Sequence, residues 1–370
     1  MAQHLEGDWL ELATVGGSII RVLKAAHPRA RRLRLTVTPK GARVTYPNGT
    51  HPAQVSAFLR SHADWLEQKL DELNLTVKPL PRLILCDGLP GSGKTTTTQQ
   101  LWLHLDSLGH EARWWFEHEL NHPVIGFDQA RAAQQAGGAE ARQIFAPAHA
   151  GWAKLAPRLD AGRGITLLEG TLFQATVGAQ LLADLPRAEI VAHFDRTLEL
   201  IAPLEPVLIH LRQENVEAAL TATCARRGPW FLAFLQGEFA ATARGRRVGR
   251  NDPAALLDYF TERRAVSDEL FTRFSGRKLA HENSDGDWAR QRKAITDFLG
   301  LPSMPATARP ERAEEFAGRY RAGTGDEWVV TADSAGLCLT TDSPARLLPR
   351  GRDRDRFVIE WLCVELTFQR

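Results

Sequence analysis

Cysteines and long apolar segments are scarce in this sequence. The cysteines are Cys86, Cys224, Cys338 and Cys363. None lies in a CxxC pair, so a disulfide framework is excluded and free thiols in a reducing compartment are predicted. The longest apolar runs, residues 165–168 and 328–330, are far shorter than the roughly 18 residues of a membrane span. Residues 1–11 carry acids where a signal peptide has an apolar core. The sequence therefore predicts a cytoplasmic protein with no membrane partner.

An excess of charge of one sign is also absent. The 46 lysine and arginine residues nearly balance the 44 acidic residues, which leaves a net charge of +2. A near-neutral chain has no electrostatic reason to bind nucleic acid, so no nucleic-acid partner is expected. Only eight of the basic residues are lysines, so a lysine inside a motif stands out.

Proline-bearing breaks at residues 75–81 and 300–313 divide the chain, because proline ends helices and favours turns. They predict a small α+β module over residues 1–78, an α/β domain over 79–303 and a small all-β domain over 314–370. A length of 370 residues is consistent with two or three domains.

Hydrophobic patterns predict the elements within these domains. In the first domain, strand patterns precede a helical pattern at residues 53–70. These strand patterns lie at residues 18–23, 33–38 and 42–46. The central domain alternates strands with helical stretches, which predicts a parallel sheet covered on both faces. Its strands are predicted at residues 82–87, 113–116, 165–169, 207–211 and 278–282. The last domain has strand patterns at residues 328–332, 337–341, 356–360 and 363–368.

The strongest motif is GLPGSGKT at residues 88–95, which fits GxxxxGK[ST] at every fixed position. Glycines let backbone N–H groups converge on phosphate oxygens, and the start of a helix adds its positive dipole end. Lys94 is expected to reach the β- and γ-phosphates of a nucleotide, and Thr95 to ligate Mg²⁺. The predicted phosphate-binding residues are Gly88, Gly91, Ser92, Gly93, Lys94, Thr95 and Thr96.

With this loop, residues 82–300 resemble the P-loop kinases that act on nucleotides and small molecules. The resemblance implies a P-loop NTPase fold that transfers the γ-phosphate of MgATP to the hydroxyl of a small-molecule acceptor. It also implies a role for Glu169, which ends the third predicted strand. A carboxylate there holds Mg²⁺ or takes the proton of the acceptor. A glutamate that only caps the strand-to-helix turn is the alternative.

The resemblance also implies a mobile lid with arginines, and two groups of arginines are candidates for it. Arg226 and Arg227 end a helical pattern and match the mobile lid, whose arginines neutralise charge during transfer. The rival cluster consists of Arg244, Arg246, Arg247 and Arg250. A solvated helix end is the alternative for Arg226 and Arg227, because basic residues are favourable there.

The resemblance also concerns the loops after the second and the last predicted strands. Asn283 follows the last strand and is expected to border the adenine of ATP. Glu117, Glu119 and Asp128 follow the second strand, where such kinases meet the acceptor. One of these carboxylates is expected to orient the acceptor hydroxyl, with a solvated turn as the alternative.

Two other functions stay open. One is an ATPase that acts as a switch or regulator; a GTPase would need an [NT]KxD motif, which the sequence lacks. The other is a zinc hydrolase, because HELNH at residues 118–122 fits HExxH. Against zinc, Pro123 disfavours a helix at His122, and no third histidine follows at a short spacing.

Residues 14–72 are similar to the N-terminal part of YgjP-like metal-dependent hydrolases. The similarity lies in the stretch RARRLRLTV from Arg29, the turn at Gly41, and the segment from Phe58 to Leu66. In those hydrolases an HExxH helix and a third histidine follow. Here the P-loop region stands in that place, which implies a shared accessory module or a remnant.

Residues 314–370 resemble the small β-barrel domain appended to penicillin-binding-protein-like serine hydrolases. The matching pieces include Phe316, Tyr320 and the segment from Val364 to Phe368. The catalytic serine motif of that family does not occur here. Packing, covering of a substrate and self-association are the roles that this resemblance leaves open.

Overall fold

The computed structural model describes most of the chain. It covers residues 9–13, 19–38, 41–72, 80–119, 121–162, 164–306, 313–321, 325, 327–334, 336–340, 345–350, 356–360, 362 and 364–368. The chain forms two compact units, residues 1–80 with 299–302, and residues 81–298 with 303–370. Residues 73–79 and 307–312, which cover most of the first predicted linker and part of the second, lie outside the described residues, so the predicted domain boundaries stay predictions.

The N-terminal unit is a four-stranded sheet with two helices. Its elements are β1 (Trp9–Ala13), β2 (Ile19–His27), β3 (Arg34–Thr38), β4 (Gly41–Pro47), α1 (Pro52–Ser61) and α2 (Ala63–Glu72). The order is β1-β2-β4-β3, with β2 and β4 parallel and the two outer pairs antiparallel. The sequence pattern does not predict β1, because this edge strand buries only Leu12 among its described side chains.

The predicted single helix at residues 53–70 is wrong, since His62 separates α1 from α2. In an unbroken helix the carbonyl of Phe58 would accept the N–H of His62. Here that carbonyl faces the Ser61 hydroxyl at 2.9 Å and His62 Nδ1 at 2.9 Å, and the His62 N–H donates to Leu59 O. Side chains that bond to nearby backbone groups compete with the helix in this way.

The centre of the second unit is a five-stranded parallel sheet. Its strands are β5 (Leu83–Gly88), β6 (Ala112–Trp115), β7 (Ile165–Glu169), β8 (Val207–Arg212) and β9 (Lys278–Glu282). The order is β6-β7-β5-β8-β9, and every neighbouring pair is parallel. All residues of β5 and β7 are buried, so both faces at the middle of the sheet are covered. The predicted parallel sheet is confirmed, with each strand within about one residue of its predicted bounds.

Helices and short helical turns connect these strands. The helices are α3 (Lys94–Ser107), α4 (Phe127–Ala136), α5 (Gly138–Ala161), α6 (Ala179–Leu182), α7 (Arg187–Ile201), α8 (Val216–Arg227), α9 (Trp230–Ala241), α10 (Ala243–Val248), α11 (Pro253–Arg273) and α12 (Trp288–Leu299). A π-helical turn at Phe173–Gly178 precedes α6, and 3₁₀ turns lie at Ala202–Leu204 and Ala313–Phe316. In the described part of the chain, none of the helices combines the length and apolarity needed to cross a membrane.

The C-terminal part of this unit is an antiparallel sheet in which consecutive strands are neighbours. Its strands are β10 (Gly318–Arg321), β11 (Glu327–Asp333), β12 (Gly336–Thr340), β13 (Ala345–Pro349), β14 (Arg356–Ile359) and β15 (Glu365–Thr367). Phe316, Leu337, Leu347 and Phe357 form its core. The predicted all-β character is confirmed, although the sequence pattern does not indicate β10, which is mostly exposed, or β13, which ends in proline.

This antiparallel sheet packs against α3, the helix that follows the GLPGSGKT loop. The buried Gln99 donates from Nε2 to Ile359 O at 2.9 Å and to Leu362 O at 3.1 Å. The Arg350 guanidinium lies 4.8 Å from the centre of the Trp102 ring. Gln99 lies only five residues after Lys94, so the contact with this sheet is close to the GLPGSGKT loop in the chain.

Replacing Gln99 with leucine is expected to weaken this contact. The change keeps the volume of the side chain but leaves the carbonyls of Ile359 and Leu362 without their donor. An unsatisfied buried acceptor costs about 1–3 kcal/mol. Urea unfolding should report a loss of that size in the free energy of unfolding, and an unchanged midpoint would contradict the contact.

Candidate functional site

The GLPGSGKT loop connects β5 to α3. Gly88 ends the strand, Lys94 begins the helix, and Gly91 and Gly93 take left-handed conformations with φ of 82° and 89°. Both glycines are also closely covered. A Cβ at Gly91 would lie 2.9 Å from Thr223 Cβ, and a Cβ at Gly93 would lie 2.5 Å from Trp288 Cη2. The loop can therefore take this path only with glycine at both positions.

Replacing Gly91 with alanine is expected to destabilise the protein more than the same change at Gly109. Gly109 has a similar φ of 86° but no atom within 4 Å of an added Cβ. Both variants carry the left-handed strain, about 1–2 kcal/mol, whereas only Gly91→Ala also collides with Thr223. Overpacking adds about 1–3 kcal/mol, so equal free energies of unfolding for the two variants would contradict this close packing.

Two residues that follow β9 in the chain bond to the GLPGSGKT loop and to the start of α3. The buried Asn283 donates from Nδ2 to Ser92 O at 2.6 Å, and Gln291 of α12 donates to the Thr97 hydroxyl. Asn283 Oδ1 and the Ser92 hydroxyl are buried with no hydrogen-bond partner among the described residues. Asn283, predicted to border adenine, thus contacts the backbone of the GLPGSGKT loop and keeps one buried acceptor free.

Thr95 and Glu169 lie together where β5 and β7 end. The Thr95 hydroxyl donates to Glu169 Oε1, and the buried Trp114 indole donates to Glu169 Oε2 at 3.2 Å. Burial and the charge of Glu117 raise the pKa of Glu169 to about 8. Because β5 and β7 are neighbours in the central sheet, the two predicted metal ligands, Thr95 and Glu169, lie together. Through its indole N–H, the buried Trp114 holds Glu169 in place.

Lys94 and Glu117 form the second pair of the site. Lys94 Nζ lies 3.7 Å from Glu117 Oε2, and both side chains are largely buried. Gln174, from the π-helical turn, donates to the same carboxylate oxygen. Burial opposes ionisation of Glu117, but Lys94 and then His118 outweigh it and lower the pKa of Glu117 to about 2. The lysine that is predicted to bind phosphate therefore faces an ionised carboxylate.

The other two carboxylates after β6 lie elsewhere. Glu119 accepts bonds from the Arg113 guanidinium and from Phe116 N, and Asp128 is exposed in the first turn of α4. Of the three carboxylates predicted to meet the acceptor, only Glu117 contacts Lys94.

The HELNH segment does not form a helix in its described residues, which lie in turns between β6 and α4. The His118 ring contacts the Phe127 ring at an interplanar angle of 54°, with ring centres 4.1 Å apart. His122 Nδ1 accepts from Val124 N at 3.3 Å, and its Nε2 lies 3.3 Å from the Thr171 hydroxyl. Among the described residues, no group of three or more histidine, cysteine or acidic side chains is arranged to hold a metal. The geometry thus does not favour the zinc hydrolase.

The two arginine clusters have different surroundings. Arg226 reaches Gly91 O of the loop at 3.4 Å, and Arg227 lies over the Phe231 ring at 4.5 Å. The rival arginines are engaged elsewhere, with Arg247 paired to Asp184 through two hydrogen bonds of 2.5 and 2.8 Å. The remaining pairs are Arg244 with Glu262, Arg246 with the carbonyls of Ala241 and Gln135, and Arg250 with Asp252. Only Arg226, of the two clusters, has a hydrogen bond to the loop.

No protein-family model matches this chain, and comparison with curated proteins finds no match. What the site does must therefore follow from its own geometry.

Two further side chains belong to the site, and neither is part of a motif in the sequence. Asp87, the residue before Gly88, accepts the N–H groups of Gly88 at 3.0 Å and Phe173 at 2.7 Å, which ties β5 to the π-helical turn. Arg263 of α11 is buried and reaches Gly88 O at 3.4 Å. The position of Asp87 beside the motif could have pointed to it, whereas no sequence signal points to Arg263.

The structure describes three of the four cysteines. Cys86, in β5, is buried, and Cys224 and Cys338 are partly buried; all three are free thiols. Burial raises the pKa of Cys86 to about 12, so this thiol stays protonated and gives the site no nucleophile. Cys363 lies outside the described residues.

Proposed function

We propose that this chain is a P-loop kinase that transfers the γ-phosphoryl group of MgATP to the hydroxyl of a small molecule. One observation carries the proposal. Lys94 and Thr95 each face a carboxylate, Glu117 and Glu169 respectively, at the carboxyl edge of the parallel sheet. In open α/β sheets ligands bind at that edge.

The loop fits the phosphates of a nucleotide. Gly91 and Gly93 remove the Cβ atoms that would fill the cradle, and α3 begins directly behind it. Backbone N–H groups at a helix start bind anions. Lys94 supplies a full positive charge, which pairs with Glu117 and would turn to the β- and γ-phosphates.

The donor set also fits Mg²⁺, because this ion prefers oxygen ligands. The Thr95 hydroxyl and the Glu169 carboxylate supply such oxygens side by side. When held by the Thr95 hydroxyl and the Glu169 carboxylate, the ion would neutralise the charge that develops during transfer. Trp114 fixes the second oxygen of Glu169 and so sets the direction in which the first one points.

Glu117 suits the acceptor side of the reaction. In the transfer, the acceptor oxygen bonds to the γ-phosphorus while the bond from that phosphorus to the β–γ bridging oxygen breaks and ADP leaves. The hydroxyl proton passes to the Glu117 carboxylate. Lys94 holds the pKa of Glu117 low, so movement of Lys94 to the phosphates would make Glu117 a stronger base. Arg226, at Gly91 O, stands where a lid arginine would neutralise the transferring group.

The test is transfer of label from γ-³²P-ATP with the full chain, Mg²⁺ and a metabolite fraction below the size of proteins. The proposal predicts labelled small molecules that disappear when EDTA removes Mg²⁺. Release of labelled phosphate alone would favour the ATPase, and absence of any Mg²⁺-dependent ADP formation would contradict both functions.

A further inference from the structure

A cavity of about 160 Å³ lies beside the proposed phosphoryl-transfer site. Pro90 of the phosphate loop and Gln174 of the π-helical turn line it. Gln174 also donates to Glu117, which pairs with Lys94. The cavity is therefore one side chain away from the carboxylate that would receive the acceptor proton.

The size and walls of this cavity limit what can enter it. A cavity of about 150 Å³ lined by aliphatic and aromatic residues holds a molecule of the size of benzene. Most of the lining here is apolar and includes Leu182, Leu235, Phe239, Leu256, Tyr259 and Phe260. A small, mainly apolar molecule fits such a volume and lining better than a nucleoside or a sugar does.

Arg263 brings a positive charge to the cavity, and the buried Asp87 lies close enough to interact with it electrostatically. It is 4% exposed, and Nη2 makes two long hydrogen bonds, to Gly88 O and Gln174 Oε1, both 3.4 Å, while the Tyr259 hydroxyl also lies within hydrogen-bonding reach of the guanidinium. Its Nε has no partner among the described residues. A buried guanidinium whose Nε has no such partner can still donate to a further acceptor, so an anionic ligand would stabilise it.

Two acids, one close to this guanidinium and one in the lining of the cavity, also bond to other groups. Asp87 accepts two backbone N–H groups. Glu238, which also lines the cavity, forms two hydrogen bonds with Arg131, of 3.0 and 2.7 Å. A carboxylate on a ligand could instead take Nε and Nη2 of Arg263 together, the geometry that arginine favours.

We propose that this cavity binds the acceptor, and that the acceptor is a small 2-hydroxy acid with an apolar side chain of about the size of benzene. The proposal rests on the kinase function above. Gln174 spans the distance between Arg263 and Glu117 with a single amide group. A carboxylate on Arg263 and a hydroxyl at Glu117 must therefore sit on neighbouring carbon atoms, while the side chain fills the apolar part.

The test is calorimetric titration of the full chain, without nucleotide, with mandelate and 2-hydroxy-4-methylpentanoate. The matched neutral probes are the corresponding 1,2-diols, which keep the hydroxyl and the side chain but lack the carboxylate. Hydrogen bonds between charged groups are stronger than neutral ones, so we expect the acids to bind about 10- to 100-fold more tightly than the diols do. Arg263→Met should remove this preference. Arg264→Met is the matched control, because Arg264 points to Asp268 instead, and it should keep the preference.

A second variant tests the cavity itself. Ala179 is buried in its wall, so Ala179→Leu should weaken binding of both acids at least about tenfold while MgATP still raises the unfolding temperature. Equal binding of acids and diols by the unaltered chain, or unchanged affinity in Ala179→Leu, would overturn the proposal. If MgATP stabilises the protein but neither acid binds, only the acceptor assignment fails. If MgATP does not stabilise it, the kinase function fails and the acceptor assignment with it.

Discussion

Replacing Lys94 with alanine is expected to abolish stabilisation of the protein by MgATP. A ligand at 100 times its Kd raises the free energy of unfolding by about 2.7 kcal/mol. The variant loses the one charge of the loop that faces the phosphates, so this gain should disappear. The fold should persist, because Glu117 keeps its contacts with Gln174 and His118. Thermal unfolding with and without MgATP measures the difference.

Lys154→Ala is the matched control for this experiment. Lys154 is an exposed lysine of α5, so its removal lowers the net charge by the same amount without touching the loop. The control should be stabilised by MgATP as fully as the unaltered protein. Equal stabilisation of Lys94→Ala would mean that the loop does not bind the nucleotide.

Replacing Glu169 with glutamine is expected to reduce turnover by about 10²–10⁴-fold, the usual worth of a positioned acid–base or charged group. Glutamine keeps the shape of the side chain, with Oε1 to accept from Trp114 and Nε2 to donate to the Thr95 hydroxyl. It also resembles the protonated carboxyl that the raised pKa favours. Binding of the nucleotide and the unfolding temperature without ligand should therefore change little.

Slow hydrolysis of ATP, in which water takes the place of the acceptor, measures this effect without knowledge of the acceptor. Glu119→Gln is a suitable control, because Glu119 belongs to the same edge of the sheet but pairs with Arg113 away from Lys94. The control should hydrolyse ATP at the unaltered rate. The same rate in Glu169→Gln would show that Glu169 only shapes the turn after β7.

The middle of the central sheet could be predicted from the sequence because β5, β7 and β8 are largely apolar runs with turn signals around them. Residues 165–169 illustrate this, since all five are buried and the strand ends at Glu169. The structure places the first and third strands side by side, and this arrangement brings Thr95 and Glu169 together.

The rest of the site could not be predicted, because its contacts join residues that are far apart in the chain. Gln174 meets Glu117 across 57 positions, and Arg263 meets Gly88 across 175. Local patterns indicate periodicity and turns but not which distant side chain fills a gap. For the same reason Glu117 could not be distinguished from Glu119 and Asp128, and the bond from Gln99 to Ile359, 260 positions away, has no local signal.

The most direct test of the central claim is a crystal structure of the full chain with Mg²⁺ and a nonhydrolysable ATP analogue. We expect the β- and γ-phosphates within the loop of residues 88–95, with Lys94 Nζ moved from Glu117 to their oxygens. Mg²⁺ should lie at the Thr95 hydroxyl, with Glu169 bound to it directly or through water. An analogue bound elsewhere, or a loop that stays empty at saturating analogue while Lys94 keeps its bond to Glu117, would contradict the assignment of this loop as a nucleotide site.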